Sequence, residues 1–391
     1  MIVGVDASNL RAGGGLTHLS GLLGAADPRA QGVSRVRVWG PGDTLARLAP
    51  RPWLSLERVP ALDRGLARRV LWQRRALPDL SRGCAVLFAP GGTLPPGAVP
   101  AVTMCRNMLP FEPREAWRFG PSATFARLQL LRALQLRAFA RADGVIFLTE
   151  YARRAVGALL QAPPRRSVTI PHGVDDSLRD LSRHTRDIQQ CTLESPLRLL
   201  YVSVISPYKH QGAVARAVAL LRAEGLPLAV DFVGPAHDEA VARAFRGTLL
   251  ALDPSGQALR WRGELRGEPL RAAWAEAEAA VFASSCENMP NILVEAMSAG
   301  LPVACSDRGP MPEVLGDAGR YFNPEDAPSI ARALRALAAD AALRASLGQR
   351  ARERAGAFSW RRCAEETFGF LARVAGADAR EGAPCAASPA P

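Results

Sequence analysis

Glu287 and Glu295 stand eight residues apart in the segment Glu287-Asn288-Met289-Pro290-Asn291-Ile292-Leu293-Val294-Glu295-Ala296-Met297. The apolar spacing predicts a helix over roughly Pro290–Ala299, stopped by Gly300-Leu301-Pro302. Glu287 then lies in the loop ahead of the helix and Glu295 about one turn inside it. Pro290 loses nothing at a first helical position, and Asn288 supplies a cap. The N–H groups of Asn291 and Ile292 are left to face an anion, with a carboxylate on either side. The chemistry expected of this stretch is the binding of a phosphate.

A second candidate is Lys209, the only lysine in the chain; the other basic side chains are all Arg. It lies in a strand-exit loop, Val202-Ser203-Val204-Ile205-Ser206-Pro207-Tyr208-Lys209-His210. An ammonium is a compact point charge that suits a tight diphosphate pocket better than a planar guanidinium does. Gly13-Gly14-Gly15 follows the first strand, and Gly14 and Gly15 would let backbone approach a donor group. The loop lacks the G-x-G-x-x-G spacing and acidic residue of a nicotinamide site. His18 follows just inside the next helix as a candidate acceptor contact. Arg106 and Asn107 end another strand, where Arg106 could stabilise a departing diphosphate. No D-x-D, P-loop or G-x-S-x-G is present, and the five His are dispersed, so no metal site is expected.

The elements that must hold these residues alternate between short apolar runs and amphipathic helices. Strands are expected at Ile2–Val5, Val36–Trp39, Val86–Ala89, Val99–Cys105 and Gly144–Thr149, with a long helix over Ser122–Ala142. After the aperiodic residues 176–195 the pattern restarts. Strands are expected at Leu197–Val204, Leu228–Val233, Leu259–Arg262, Ala280–Ala283 and Leu301–Cys305. Helices are expected at Gly212–Ala223, Pro269–Ala279, across 327–350 and near Trp360–Ala375. Such alternation implies βαβ units and two parallel, doubly wound sheets facing a cleft, with ligands at the carboxyl ends of the strands. The expected division is 1–175, a linker at 176–195, 196–355, a crossover helix at 356–375 and a disordered tail at 376–391.

Residues 1–175 hold 24 Arg against 11 Asp and Glu, whereas 176–391 hold 25 Lys and Arg against 26 Asp and Glu. The net charge of +12 therefore lies in the first half, which suits an anionic partner such as a lipid surface or an acidic acceptor. Arg127, Arg132, Arg137 and Arg141 on the long helix, with Arg64, Arg68, Arg69, Arg74 and Arg75, could rest on an anionic bilayer. No recognised nucleic-acid motif accompanies the charge. The start of the chain reads as a buried strand, and no apolar run is long enough to span a membrane. The expected location is the cytoplasm, free or at the inner face of the plasma membrane. Seven scattered Cys without a C-x-x-C pair fit free thiols.

The Glu287-to-Glu295 segment resembles the E-x7-E signature of retaining glycosyltransferases with the GT-B fold, most closely family 4. The resemblance extends to Ile170-Pro171-His172-Gly173-Val174-Asp175, similar to the family's I-P-N-G-V-D. It implies two Rossmann-like domains, with a last helix crossing back to the N-terminal, acceptor-binding one. By the same resemblance Glu295 would accept hydrogen bonds from the donor's ribose and Glu287 would contact the transferred sugar. Asn288, Met289, Pro290 and Asn291 would lie beside its distal phosphate, with Lys209 on the diphosphate. Ser203 occupies the diphosphate loop, and Gly234 and Leu265 lie in loops that flank the nucleobase. Ser203 and Val204 stand where family members carry Gly-Arg, leaving Arg308 or Arg106 to supply a second cation. Arg106 and Asn107 stand where many members show His-Asp; Asn107 would meet the acceptor. No base is required there, because the departing phosphate can take the acceptor's proton on the same face of the sugar.

The resemblance implies hexose transfer from a nucleotide diphosphate sugar, as co-substrate rather than cofactor, to a saccharide or lipid-linked acceptor in envelope polysaccharide or lipopolysaccharide synthesis. A nucleotide-sugar epimerase of similar fold and a non-catalytic sugar-nucleotide-binding protein are the alternatives.

Overall fold

A computed structural model describes residues 1–381 apart from Ala12, Pro96, Ala98 and 182–185. The chain forms two compact units. The first comprises Met1–Phe111, Arg127–Gly173 and Ser359–Pro391, the second Glu112–Ala126 and Val174–Phe358.

The first unit is built on seven parallel strands: β1 (Ile2–Asp6), β2 (Arg35–Gly40), β3 (Leu54–Arg58), β4 (Val86–Ala89), β5 (Ala101–Met104), β6 (Gly144–Phe147) and β7 (Ser167–Thr169). Their order is β3-β2-β1-β4-β5-β6-β7. The second unit holds six: β8 (Leu197–Val202), β9 (Leu228–Val233), β10 (Leu259–Trp261), β11 (Ala279–Phe282), β12 (Val303–Ser306) and β13 (Gly319–Phe322), ordered β10-β9-β8-β11-β12-β13. Every strand pairing among the described residues is parallel. Strands β4, β5, β6, β9, β11 and β12 are buried along their whole length, which is why they read as continuous apolar runs.

Strand order reverses between β1 and β4 in the first sheet and between β8 and β11 in the second. At such a point the loops leaving adjacent strands diverge to opposite faces and leave a crevice at the carboxyl end. The Lys209 loop leaves β8 and the Glu287 loop leaves β11, so both bracket the second sheet's switch point.

Three strands that apolar patterning passes over, β3, β7 and β13, all lie at sheet edges. One face of each is solvated, so their sequences are mixed. The helical stretch expected across 327–350 is present and divides into two helices, Ala327–Ala339 and Ala341–Ala355. Asp340 breaks the run, accepting a 2.8 Å bond from the Leu343 N–H as cap of the second helix. Arg344, 1% exposed, then donates to the carbonyls of Leu337 and Ala338 at 2.6 and 2.8 Å, satisfying the end of the first helix.

Within the expected linker, residues 186–190 are tied into the second unit: Arg186 pairs with Glu278 at 2.6 Å, and Asp187 forms a capping box over Ile188–Gln190. The segment Glu112–Ala126 also belongs to this unit, an excursion that contiguous boundaries cannot express. The last helix runs from Trp360 to Glu381, beyond the expected end at 375, and packs on the helix Gly14–Ala25 and on β4 and β5. The rest of the expected tail lies outside the described residues. No helix among the described residues is long and apolar enough to cross a membrane.

Trp360 anchors this last helix. A Cβ at Gly173 would lie 2.2 Å from the Trp360 backbone nitrogen, and one at Gly21 would lie 2.5 Å from its ring. Gly24, in the same helix as Gly21, has no such neighbour within 4 Å. Gly173→Ala is therefore expected to lower unfolding stability by about 2–3 kcal/mol through overpacking. Gly24→Ala should raise it by up to about 1 kcal/mol through helix propensity. Urea denaturation at 25 °C measures both; equal effects of the two would remove the packing argument.

Candidate functional site

The second unit gathers most of the predicted site residues around one ion pair. Lys209 Nζ hydrogen-bonds Glu287 Oε1, with the two side chains only 12% and 16% exposed. The ammonium also lies over the rings of Tyr208 and Phe282, at 5.1 and 5.6 Å from their centroids. Burial pulls the Lys209 pKa down, but the Glu287 carboxylate, with a further contribution from the Tyr208 phenol, overcomes this and holds it above its ordinary value. The ammonium is charged at any physiological pH.

The two loops that carry the pair are clamped together. The Tyr201 hydroxyl, reaching out from β8, donates to the Lys209 carbonyl at 2.5 Å. The Ser285 N–H donates to the Tyr208 carbonyl at 2.9 Å. Ser285 Oγ donates to Glu115 Oε2 at 2.5 Å, which leaves it to accept from His210 Nε2 at 2.9 Å. Burial and the nearby Arg118 push the His210 imidazole down to about 4, so it is neutral. His210 adopts a left-handed backbone, φ 52°, and its carbonyl accepts from Ala213 at the start of the helix Gln211–Ala223. Glu115 is buried, and Arg118 donates to the same Oε2 at 2.7 Å. Tyr201, Tyr208, His210 and Ser285 flank the motifs in the sequence. Glu115 lies 170 residues from Ser285 and carries no sequence signal of its own.

The motif helix is Asn291–Ser298, capped by Pro290, and no side chain bonds its open end. Asn288 is therefore not the cap; it is buried ahead of the helix, next to the equally buried Met289. The Asn291 N–H is also not free for an anion, because it donates to the Met289 carbonyl at 2.9 Å. Pro290 fixes a tight turn there, which takes up the first N–H and moves the open end towards Ile292. Cys286 is buried in the same loop, and desolvation, with the nearby Glu112, holds its thiol far above the ordinary range; it is no nucleophile.

Glu295 sits apart from the ion pair. Its carboxylate lines a pocket of about 630 Å³ with Asp175, Arg271 and Trp274. Burial, then repulsion from Asp175, pushes it up to about 7. The two glutamates thus differ sharply: one meets a cation, the other a desolvated pocket that would reward hydrogen-bond donors.

Ser203 and Gly234 occupy adjacent strand ends. Ser203 Oγ accepts from Gln211 at 2.8 Å, and a Cβ at Gly234 (φ 137°) would fall 2.1 Å from the Ser203 carbonyl oxygen. Glycine at 234 is what lets the two loops close. Leu265 is half-buried in the loop after β10. Arg308 pairs with Asp307 at 3.2 Å and donates to Asn323, so its charge is already engaged.

Gly14, Gly15, His18, Arg106 and Asn107 belong to the first unit. A Cβ at Gly15 would fall 2.1 Å from an Arg106 guanidinium nitrogen, so glycine there makes room for the arginine. Desolvation brings Arg106 down to about 10. Gly14 opens the helix Gly14–Ala25, and a Cβ there would meet nothing within 4 Å. Asn107 is exposed, and its side-chain oxygen accepts from the Leu109 N–H at 3.1 Å. His18 is fully buried, stacked on His172 at 4.5 Å and beside Trp360, and burial drives its pKa far down. It is a neutral core residue in this structure and does not present itself to an acceptor.

Residues 196–340 match the family model "Glycosyl transferases group 1". A sulfoquinovosyl transferase of Arabidopsis thaliana is 33% identical over 112 residues, 27% of this chain and 22% of that protein. The O-antigen chain mannosyltransferase B of Escherichia coli is 27% identical over 57% of this chain and 59% of its own length. The chain thus spans less than two thirds of these curated relatives. Among solved structures, a sucrose-phosphate synthase of Thermosynechococcus elongatus superposes with a TM-score of 0.75 at 18% identity, covering 96% of this chain and 100% of that one. That likeness identifies the fold: two Rossmann-like units of the GT-B class.

The Glu295 environment gives a pH prediction for the free protein. Its folded pKa lies above the ordinary 4.5, so between these values the folded state binds more protons than the unfolded one. Stability must then fall as pH rises from about 5 to 8, by about 1–3 kcal/mol from this group after allowing for its partial exposure. Glu295→Gln should flatten that decline and raise stability at pH 8, measured by denaturant unfolding. An unchanged pH slope would contradict the assigned environment.

Proposed function

We propose that this chain, whose residues 196–340 match the glycosyl transferases group 1 model, is a retaining, metal-independent hexosyltransferase of the family 4 type. It moves a sugar from a nucleotide diphosphate donor to a saccharide or lipid-linked acceptor, working in the cytoplasm at the inner face of the plasma membrane. The O-antigen mannosyltransferase among its relatives supports a place in envelope polysaccharide or lipopolysaccharide synthesis. The single observation that carries the reading is the clamped Lys209–Glu287 pair beside the open end of the Asn291–Ser298 helix, at the switch point of the second sheet.

A diphosphate entering there meets the Lys209 ammonium and the helix end, which together supply positive potential where charge grows as the glycosidic bond breaks. Lys209 takes the part that a metal ion plays in other diphosphate sites. As Lys209 turns to the phosphate, Glu287 is released towards hydroxyls of the transferred sugar. Glu295, in its desolvated pocket, accepts from the ribose hydroxyls. Pro290, Met289 and Asn288 hold the turn before the helix, and Ser203, Gly234 and Leu265 shape the loops on the nucleoside side. The leaving phosphate takes the acceptor's proton on the face it departs from, so the configuration is kept and no separate base is needed. Gly14, Gly15 and Arg106 contribute further backbone approach and positive charge, with Asn107 towards the acceptor. The basic first half rests against an anionic membrane surface, and nucleic acid is not a partner.

Product analysis by NMR with a panel of nucleotide sugars and saccharide acceptors tests this. The product should keep the donor's anomeric configuration, and EDTA should leave the rate unchanged. Glu287→Gln should lower turnover about 10²–10³-fold. An inverted product, or donor converted to an epimer without acceptor, would overturn the proposal.

A further inference from the structure

The switch point of the first sheet carries a feature that sugar transfer does not require. Between the helices Leu66–Arg75 and Ala123–Arg141 lies a pocket of about 390 Å³. Its floor is tied to the ends of β1 and β4: Gln73 donates to Asp6 at 2.6 Å and to Ser8 at 2.9 Å, and Asn9 donates to Thr93 at 3.2 Å. Each helix presents a stripe at helical spacing that changes character along its length. On one the stripe runs Leu66, Val70, Arg74; on the other Leu130, Leu134, Arg137, Arg141. Val70, Arg74, Leu134, Arg137 and Arg141 line the pocket, and Leu66 and Leu130 continue the stripes as exposed apolar side chains.

The four leucine and valine side chains are 38–64% exposed, a grouping that costs solubility unless something covers it. No carboxylate lines the pocket. Arg74, Arg137 and Arg141 are exposed, and among the described residues no ion pair engages them. Three unpaired guanidiniums at one end of an apolar groove match a phosphate at one end of an alkyl chain. Guanidinium forks bind phosphate oxygens through charge-assisted bonds, and the aliphatic walls remove methylenes from water.

We infer that this pocket binds a single lipid phosphate, its head group on Arg74, Arg137 and Arg141 and its first methylenes along Val70 and Leu134. The discrete volume fits one molecule, whereas a flat basic face would suit a bilayer as a whole. Two sources share this chemistry: the monoester phosphate of a lipid carrier not yet loaded with sugar and the diester of a bilayer lipid. Only the first of these rests on the transferase reading; the binding itself does not.

The test uses the full chain and calorimetry below the micellar concentration of each probe. Octyl phosphate should bind at least roughly tenfold more tightly than inorganic phosphate, because the chain is buried along with the head group. Arg137→Ala combined with Arg141→Ala should weaken octyl phosphate roughly tenfold or more, leaving the unfolding midpoint and nucleotide binding as in the wild type. Octyl phosphate binding better than short-chain phosphatidylglycerol identifies the carrier-type monoester; the reverse order identifies a bilayer lipid. Either supports the site. Equal binding of octyl and inorganic phosphate, or an unaffected double variant, overturns it. So does association with anionic vesicles without binding of octyl phosphate, which marks a flat electrostatic contact. Loss of nucleotide binding with octyl phosphate binding intact would count against the transferase reading alone.

Discussion

A lysine ammonium and a glutamate carboxylate, both largely withdrawn from water, have to be held together at the end of a sheet. Desolvating two charges costs several kcal/mol each, and their attraction repays this only when the geometry is good and the remaining polar groups are satisfied. The local structure is arranged to meet that condition. Tyr201 fixes the backbone of Lys209, Ser285 fixes that of Tyr208, and His210 and Glu115 fix Ser285. The left-handed turn at His210 is part of the same constraint, since it lets one residue end the lysine loop and open the next helix. An ion pair held this firmly is a poor way to gain stability, and that is a reason to look for its purpose in binding.

Parallel sheets explain where such a pair can be built. Every strand delivers its loop to the same end, and reversal of strand order opens a crevice only once in each sheet. In the second unit the crevice lies between β8 and β11 and receives Lys209 from one side and Glu287 from the other. In the first unit it lies between β1 and β4, where the glycine loop, Arg106 and the arginine-lined pocket are found. The charge imbalance seen in the sequence thus acquires places: a buried arginine against Gly15 and a stripe of exposed ones on two helices.

Much of this was legible in the sequence because buried parallel strands are continuous apolar runs and their exit loops are short. The strands from β4 to β6 and from β8 to β12 lie where the apolar runs place them, within a residue or two. Edge strands such as β3 and β13 were not legible, since one solvated face erases the run. The break at Asp340 was hidden because an aspartate cap and an exposed helical aspartate look alike until the chain direction is known. At the site, residue types proved a better guide than local geometry. The pairing of the lone lysine with Glu287 follows from strand order, which single-sequence patterns do not contain. Asn288 looked like a cap, but the turn that Pro290 enforces moves the cap on to the proline itself and ties up the Asn291 N–H. His18 looked available because it follows a glycine loop, yet its stacking on His172 and Trp360 depends on a helix more than 340 residues later. Glu115 could not be found at all, because only the folded excursion of Glu112–Ala126 brings it to Ser285.

The central claim is that Lys209 is held in place to receive a diphosphate. Calorimetric titration of UDP, GDP and ADP, without divalent metal, into the wild type and into Lys209→Met tests it most directly. One nucleotide should bind the wild type, and the variant should lose roughly ten- to a hundredfold in affinity, as expected for removal of a charge-assisted contact to phosphate. A variant that binds that nucleotide as tightly as the wild type would show that the ion pair serves the fold alone.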